Sequence, residues 1–296
     1  MAINRHSLER VQRVPVEGGD LEIRIYQPHA EPERSQTPLL VTHGGPGGSS
    51  IGLYDALHEL ANQRPLIFYD QLGSFSSPAE LLPEQMTLER FASEPFAILN
   101  QLGVARAALL GHSWGGSVMT QFCLKHPQRV SALVLSSPLL STRRWVEDCN
   151  ALVDQIQAEL GDTDDISPEF DNRHFSRNSS YTNTLMAERR RTNGSLYRQM
   201  WGSNEFEHSG VLGDLDFFPR LSQLSVPTLL ICGEHDTATP RTLRNAKAQI
   251  GNNAQLKVLP DAGHKTYIDK NNEYIKTVGK FLSSEISSQE QCPAFP

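Results

Sequence analysis

Gly111-His-Ser-Trp-Gly115 sets a serine between two glycines, where an apolar run, Arg106-Ala-Ala-Leu-Leu110, meets a helical pattern, Ser117 to His126, that Pro127 stops. G-x-S-x-G in that setting is a strand-turn-helix elbow. The sharp turn strains the serine backbone, the glycines let strand and helix approach closely, and the Ser113 hydroxyl is held out beyond the sheet. By itself the pattern is weak, since a chain of this length contains it by chance on the order of one time in ten. Its meaning depends on partners. A serine alcohol is a poor nucleophile until an imidazole accepts its proton, and a carboxylate must then fix the imidazole's tautomer and stabilise the imidazolium. His264 follows the short apolar run Leu256–Leu259, and Asp236 closes Gly233-Glu-His-Asp236 after the run Pro227–Cys232. Reactive groups in open α/β sheets collect beyond the carboxyl ends of strands, where Ser113, Asp236 and His264 all fall. Asp70 also ends an apolar run, Leu66–Tyr69, and is the rival acid.

Acyl transfer needs two more groups: preorganised N–H donors for the oxyanion. Trp114, directly after the serine, supplies one, and Gly45 in His43-Gly-Gly-Pro-Gly-Gly48 supplies the other. That glycine run lacks G-x-G-x-x-G and is not followed by G-K-[ST], which argues against a nucleotide cradle. His43 reads as a structural histidine holding the loop.

The elements that must position these groups follow from periodicity. Val11–Val16 and Leu21–Tyr26 alternate apolar and polar residues around Glu17-Gly-Gly-Asp20, a hairpin at a sheet edge. After the polar loop 31–37, Leu39–Thr42 is a short strand, Leu53–Ala61 a helix and Leu66–Tyr69 a strand. Thr87–Leu102 is a helix with Pro95 inside and Gly103 as its stop. The elbow comes next, and then the strand Val130–Leu135. This alternation predicts a mainly parallel sheet with helices on both faces. It stops at Pro138. From 138 to 226 the chain is polar and lacks strand signals, with helical patterns over Arg144–Leu160 and Leu185–Trp201, the size of an inserted helical cap. The predicted organisation is therefore a core of 1–137 and 227–296 interrupted by a cap of 138–226. The core resumes with Thr239-Pro240 starting a helix to Ile250, and a last helix runs to about Phe281 before a frayed tail.

Composition bounds the function. With 296 residues and 38% hydrophobic content the chain can bury a full core. Acidic residues number 34 against 27 basic ones, a formal charge of −7, which disfavours nucleic acid as a partner. Met1–Asp20 has no apolar core of a secretory signal, and no run approaches 18 apolar residues, so no membrane partner and a cytoplasmic location are expected. Cys123, Cys149, Cys232 and Cys292 have no metal-type spacing and read as free thiols, and Cys292 lies one position too early for a prenylation box. No metal or other cofactor is called for. No repeat or heptad series is present, and no oligomeric state is assigned.

The chain order Ser, Asp, His matches the α/β-hydrolase triad and differs from the chymotrypsin-like and subtilisin-like orders. His-Gly-Gly-Pro-Gly at 43–47, Tyr-Asp-Gln-Leu-Gly at 69–73, Gly-His-Ser-Trp-Gly-Gly at 111–116, Gly-Glu-His-Asp at 233–236 and Gly-His at 263–264 resemble the proline iminopeptidase family of α/β-hydrolases, from about Leu21 to Phe281. The resemblance implies an α/β-hydrolase fold and a serine aminopeptidase acting on a small molecule or short peptide. In this architecture the acid comes late in the chain, which favours Asp236 over Asp70. Met200-Trp-Gly-Ser-Asn-Glu-Phe206 looks like the family segment whose glutamate binds the substrate's free α-ammonium, which implies that role for Glu205.

Two departures stand out. Thr237 follows the aspartate where related aminopeptidases often carry a second acid, and Phe75 replaces the second glycine of a Gly-x-Gly-x-Ser loop. Phe75 either narrows the acyl pocket or packs under its loop. Trp201 and Phe206, with Phe217 and Phe218, form either a pocket wall or the cap's own core; Phe75, Trp201 and Phe206 join Glu205 as expected substrate-binding residues. The alternative activity is an esterase, lactonase or amidase using the same triad on a non-peptide metabolite. A catalytically silent binding protein on this scaffold is a third, disfavoured by the intact triad. Ser113 rules out chemistries that need an aspartate at the elbow, such as epoxide hydrolysis and haloalkane dehalogenation.

Overall fold

Alternating residues in β1 (Ser7–Val16) and β2 (Gly19–Pro28) pair antiparallel across a two-residue turn, Val16 opposite Gly19, and β1 forms the sheet edge. The computed structural model describes residues 7–28, 37–161, 165–177 and 182–286. The polar loop expected over 31–37 falls outside these apart from Thr37, as do Cys292 and the tail beyond Ile286. The next strands are short and mostly apolar: β3 (Leu39–Thr42), β4 (Leu66–Tyr69), β5 (Ala107–His112), β6 (Val130–Ser136) and β7 (Thr228–Gly233). Every residue in them is buried. That is the composition of parallel strands covered on both faces, where no side of the pleat meets water. β8 (Ala254–Leu259) closes the far edge and alternates buried with exposed residues. The sheet runs β1-β2-β4-β3-β5-β6-β7-β8, with β3 to β8 parallel to their neighbours and β2 antiparallel to β4.

Helices cover both faces. α1 (Ile51–Leu57), α9 (Thr266–Asp269) and α10 (Asn271–Ile286) pack Leu53, Tyr267 and Val278 against Val41, Phe68 and Leu110. On the opposite face α2 (Leu88–Gln101), α3 (Trp114–Lys125) and α8 (Pro240–Ile250) pack Phe91, Val118 and Leu243 against Leu40, Leu109 and Leu230. Thr87 and Thr239 cap α2 and α8 through their hydroxyls, each accepting from the amide three residues on. Pro95 sits within α2, and Gly103 stops it at φ 63°.

β3 lies between β4 and β5, so the chain leaves β3 on one side and returns past it to β5. Ligands bind at such a switch point because the loops after the two central strands diverge and leave a crevice. Here those loops begin at His43 and Ser113.

Between β6 and β7, residues 137–227 carry α4 (Thr142–Leu160), α5 (Ser167–Phe170), α6 (Thr182–Arg191) and α7 (Gly194–Met200), with a π-helical turn over Asp171–Phe175. The single helix expected over Leu185–Trp201 is two. Asn193 breaks it, its side chain accepting from the Ser195 and Leu196 amides and thereby capping α7. Likewise the final helix is interrupted at Lys270. No helix among the described residues is long and apolar enough to cross a membrane.

Candidate active site

β5 ends at His112 and α3 begins at Trp114, which leaves Ser113 alone in the turn at φ 55°, ψ −122°. This sparsely populated conformation is held from both sides: the Ser113 amide donates to Ser136 O (2.9 Å), and its carbonyl accepts from the Gly116 (2.8 Å) and Leu139 (3.1 Å) amides. A Cβ on Gly111 would lie 2.2 Å from Gly115 O, and one on Gly115 would lie 2.5 Å from His43 O. Only glycines allow strand, helix and the neighbouring loop to meet this closely. The Ser113 hydroxyl has no hydrogen-bond partner among the described residues, and the residue lines a cavity of about 540 Å³ shared with His264, Gly45, Glu205 and Phe206.

His264 and Asp236 meet at the ends of β8 and β7, with Nδ1 2.9 Å from Asp236 Oδ1. Both are buried, at 2% and 1% exposure. Asp236 Oδ1 also accepts from the Ala238 amide (2.8 Å), and Oδ2 from the Gly233 amide (3.1 Å) and the Ser137 hydroxyl (2.6 Å). Because the Asp236 oxygens accept from these neighbours, the geometry assigns the His264 proton to Nδ1 and leaves Nε2 as the nitrogen without one. The ring is packed by His112 at 4.7 Å, Phe175 at 5.2 Å and the edge of Trp145 at 5.4 Å. Burial lowers the His112 pKa well below its ordinary value.

Ser137 is absent from the sequence reading, although it sits at φ 47° with its hydroxyl reaching both Asp236 Oδ2 and His264 O (3.0 Å). Thr237 is fully buried and lies 3.1 Å from His264 Nδ1 and 3.4 Å from Asp236 Oδ1. A residue there meets the imidazole and does not line the cavity, so its identity bears on the histidine and has no direct contact with an amine.

Asp70 belongs elsewhere. It accepts from the Ser50 amide and hydroxyl, both at 2.7 Å, and from the Ser76 amide at 3.3 Å, tying the loop after β3 to the loop after β4. Burial pushes its pKa up, but His43 and these hydrogen bonds outweigh that and lower it.

Gly45 has φ 116° and a cis bond to Pro46, in a loop lying against Ser113: a Cβ on neighbouring Gly44 would come within 2.8 Å of Ser113 Cβ. His43 acts as the loop's internal brace. Its Nε2 accepts from the Gln71 amide (3.0 Å) while Nδ1 meets Gly44 O (2.7 Å), and burial lowers its pKa. The Gln71 side chain, another residue the sequence did not single out, bonds His43 O, Thr42 Oγ1 and the Trp114 indole. Trp114 opens α3, and neither its amide nor that of Gly45 has a carbonyl partner among the described residues.

Of the expected substrate-binding residues, the structure brings Glu205 and Phe206 to the cavity. Glu205 is half-buried, accepting from the Tyr197 hydroxyl (2.7 Å) and the Trp145 indole (3.2 Å), and no cation reaches it among the described residues. Tyr197 and Trp145 are the pair that sequence reasoning missed here, since each lies on a different helix. Two expectations are corrected. Trp201 is 2% exposed, donates its indole to Asn204 O and packs edge-on to Trp145, so it supports the wall from behind. Phe75 is 57% exposed, with the Arg191 guanidinium over its ring, and is outside the cavity lining. Its loop is pinned to Asp70, which accepts from the Ser76 amide and the Ser77 hydroxyl, and the side chain is turned outward. Phe217 and Phe218 are core residues. Cys123, Cys149 and Cys232 are buried free thiols whose pKa values burial raises, Cys123 to about 12.

Comparison with known proteins agrees with this architecture. The α/β hydrolase fold family matches residues 37–271. A proline iminopeptidase of Heyndrickxia coagulans is 31% identical over 264 residues, covering 84% of this chain and 91% of that protein. One from Lactobacillus helveticus is 32% identical over 270 residues, covering 84% and 91%. Among solved structures, the proline iminopeptidase of Mycobacterium smegmatis superposes with a TM-score of 0.82 at 26% identity, covering 95% of this chain and 100% of that one. The eight-stranded, mostly parallel sheet, the strained serine elbow and these relatives together make this chain a member of the α/β-hydrolase family, of the proline iminopeptidase group, and a serine hydrolase.

Proposed function

We propose that this enzyme is an aminopeptidase that releases an N-terminal proline or small apolar residue from short peptides or amino-acid amides, with Ser113, His264 and Asp236 as its triad. The observation that carries this reading is Glu205: a carboxylate in the same cavity as Ser113, held by two neutral donors and lacking a counter-ion among the described residues. An α-ammonium supplies the missing charge. Such a site rewards a free N-terminus and penalises a blocked one, because an unpaired carboxylate and a buried amide are both left unsatisfied.

With the ammonium on Glu205, Ser113 Oγ attacks the first carbonyl carbon as His264 Nε2 takes the hydroxyl proton. The C–O bond forms and the carbonyl oxygen becomes an oxyanion, stabilised by the Gly45 and Trp114 amides. Collapse breaks the C–N bond, and His264 delivers its proton to the departing nitrogen. Water then attacks the acyl-enzyme, His264 taking a proton from it and returning one to Ser113 Oγ as the free amino acid leaves. Asp236 stays ionised throughout, holding the ring and stabilising the imidazolium. In this reading residues 138–226 act as a cap that carries the amine anchor over the sheet's catalytic groups.

The test is kcat/KM on prolyl, alanyl and leucyl amides against their N-acetylated forms, for wild type and Glu205→Gln, with fluorophosphonate labelling of Ser113 as the control for an intact elbow. Acetylation and the Glu205 change should each lower kcat/KM by about 100-fold or more while labelling persists. Equal turnover of blocked substrates or plain esters overturns the aminopeptidase reading.

A further inference from the structure

Among the described residues, the acidic and basic side chains lining the cavity are closed off in pairs, with two exceptions. Lys265 Nζ is 3.1 Å from Glu188 Oε2, and Arg189 is 3.0 Å from Asp171 Oδ2, so these four groups neutralise each other. Glu205 is one exception. The other is Arg198 on α7: it lines the same cavity, is exposed, and has no hydrogen-bond or ion-pair partner among the described residues. Its guanidinium folds back along its own helix, Nη1 lying 3.3 Å from where a Cβ on Gly194 would be. That turn of α7 is fastened to the oxyanion loop, since the Asn193 amide donates to Gly47 O at 2.8 Å. Arg198 therefore stands beside the loop that faces Ser113, one residue on from the tyrosine that holds Glu205.

We infer that Arg198 is a carboxylate subsite and that the enzyme's preferred substrates are short peptides with both termini free. The inference rests on the aminopeptidase reading and adds the other end of the substrate to it. A cavity with one unneutralised anion, half-buried, and one unneutralised cation, exposed at its rim, is complementary to a zwitterion that enters amine first. With the ammonium on Glu205 and the first carbonyl at Ser113, the leaving portion of the substrate points to the open side. A dipeptide presents its carboxylate there, and the arginine fork receives such a group with two parallel N–H donors. A longer peptide or a C-terminal amide has a neutral carbonyl at that place and leaves the guanidinium unpaired.

The experiment compares kcat/KM for alanyl-glycine and alanyl-glycinamide, identical except for the terminal charge, in wild type, Arg198→Gln and Arg198→Glu. The acid-to-amide ratio is read within each variant, so differences in folding or active fraction cancel. The ratio should be about 10 in wild type, close to 1 in Arg198→Gln and below 1 in Arg198→Glu, and the wild-type ratio should fall as salt rises. A wild-type ratio near 1, or a ratio that survives in both variants, overturns the carboxylate subsite while leaving the aminopeptidase reading intact. Failure of both substrates, with N-acetylated amides or esters turned over instead, overturns the two together.

Discussion

Asp236, on the sheet side of the cavity, is 1% exposed, and two of its hydrogen bonds come from backbone amides, Gly233 and Ala238, within the same tight turn. Glu205, on the side built by the chain between β6 and β7, is half-buried and is held by Trp145 on α4 and Tyr197 on α7. One carboxylate is positioned by the path of the main chain, the other by side chains from two helices. A backbone-fixed group cannot be moved without disturbing the strand end that carries it. A group fixed by side chains can be retuned by one substitution. If Asp236 serves the chemistry and Glu205 the substrate choice, as proposed, the two are separable, and variants can test how cleanly.

The largest effects belong to the sheet side. Ser113→Ala should lower kcat on the order of 10⁴-fold with no loss of thermal stability, measured by steady-state kinetics and a melting curve. Asp236→Asn should lower kcat as much and also lower the melting temperature, because its amide nitrogen faces donors that the carboxylate accepts from. Asp70→Asn sharpens the contrast. It should lower the melting temperature by loosening Ser50 and Ser76, and it should leave the pH dependence of kcat unchanged, since Asp70 does not contact His264. A 10⁴-fold loss in Asp70→Asn, with Asp236→Asn active, would reverse the assignment of the acid.

The sheet side also carries a buried titrating group. Glu94 is fully buried, accepts from the Leu72 amide at 3.1 Å and pairs with Arg90, next to the Gln71 that braces the loop after β3. Burial raises its pKa to about 7, with Arg90 offsetting only part of that. Because the folded-state value lies above the unfolded one, the neutral form favours folding. Its contribution is complete below about pH 4.5 and is lost as pH rises through about 7. Chemical denaturation at pH 5 and pH 8 should show wild type losing at most about 3 kcal/mol more than Glu94→Gln over that interval. Parallel losses in the two proteins would mean that the carboxylate is already ionised at pH 5.

Ser137 gives the next effect. Its hydroxyl is the side-chain donor on Asp236 Oδ2, and its φ of 47° suits glycine, so Ser137→Gly removes the hydroxyl without adding strain. We expect kcat to fall about tenfold or somewhat more, and the acidic limb of the kcat/KM profile to move, because the group acts through the aspartate and histidine. Unchanged pH limbs with the same loss of kcat would show a merely structural role.

Ser137 also marks where the sequence stops being legible. The elbow could be read because its requirements are local: Gly111 and Gly115 approach each other and His43 within one turn, and only that residue pattern allows it. Strands β3 to β7 could be read because burial on both faces writes itself as unbroken apolar runs. Ser137, in Ser136-Ser-Pro138, looks like any strand end, and its role exists only because β6 lies beside β7 and brings it to a residue 99 positions away. Gln71 is hidden in the same way. Asn193-Gly194 did carry a local signal, a capping residue inside a helical pattern, which explains the break between α6 and α7. Phe75 misleads because a large residue in a glycine-rich loop suggests filling, whereas the hydrogen bonds that the Ser76 amide and Ser77 hydroxyl donate to Asp70 hold that loop with the ring outward.

The smallest effect is the most direct probe of the substrate side. Tyr197→Phe removes one of the two donors on Glu205 and leaves the aromatic packing in place. A half-exposed carboxylate that loses one neutral donor is partly repaid by water, so the cost should be about 1 kcal/mol, a several-fold rise in KM for free-amine substrates at nearly constant kcat. Trp145→Phe removes the other donor and also the indole edge that packs on the His264 ring, and should therefore lower kcat as well as raise KM. The two variants divide the site at Trp145, a side chain that bonds Glu205 and packs on His264. If Tyr197→Phe lowers kcat as much as Trp145→Phe does, the anchor and the triad are coupled through the cap, and substrate choice on this scaffold cannot change without changing the chemistry.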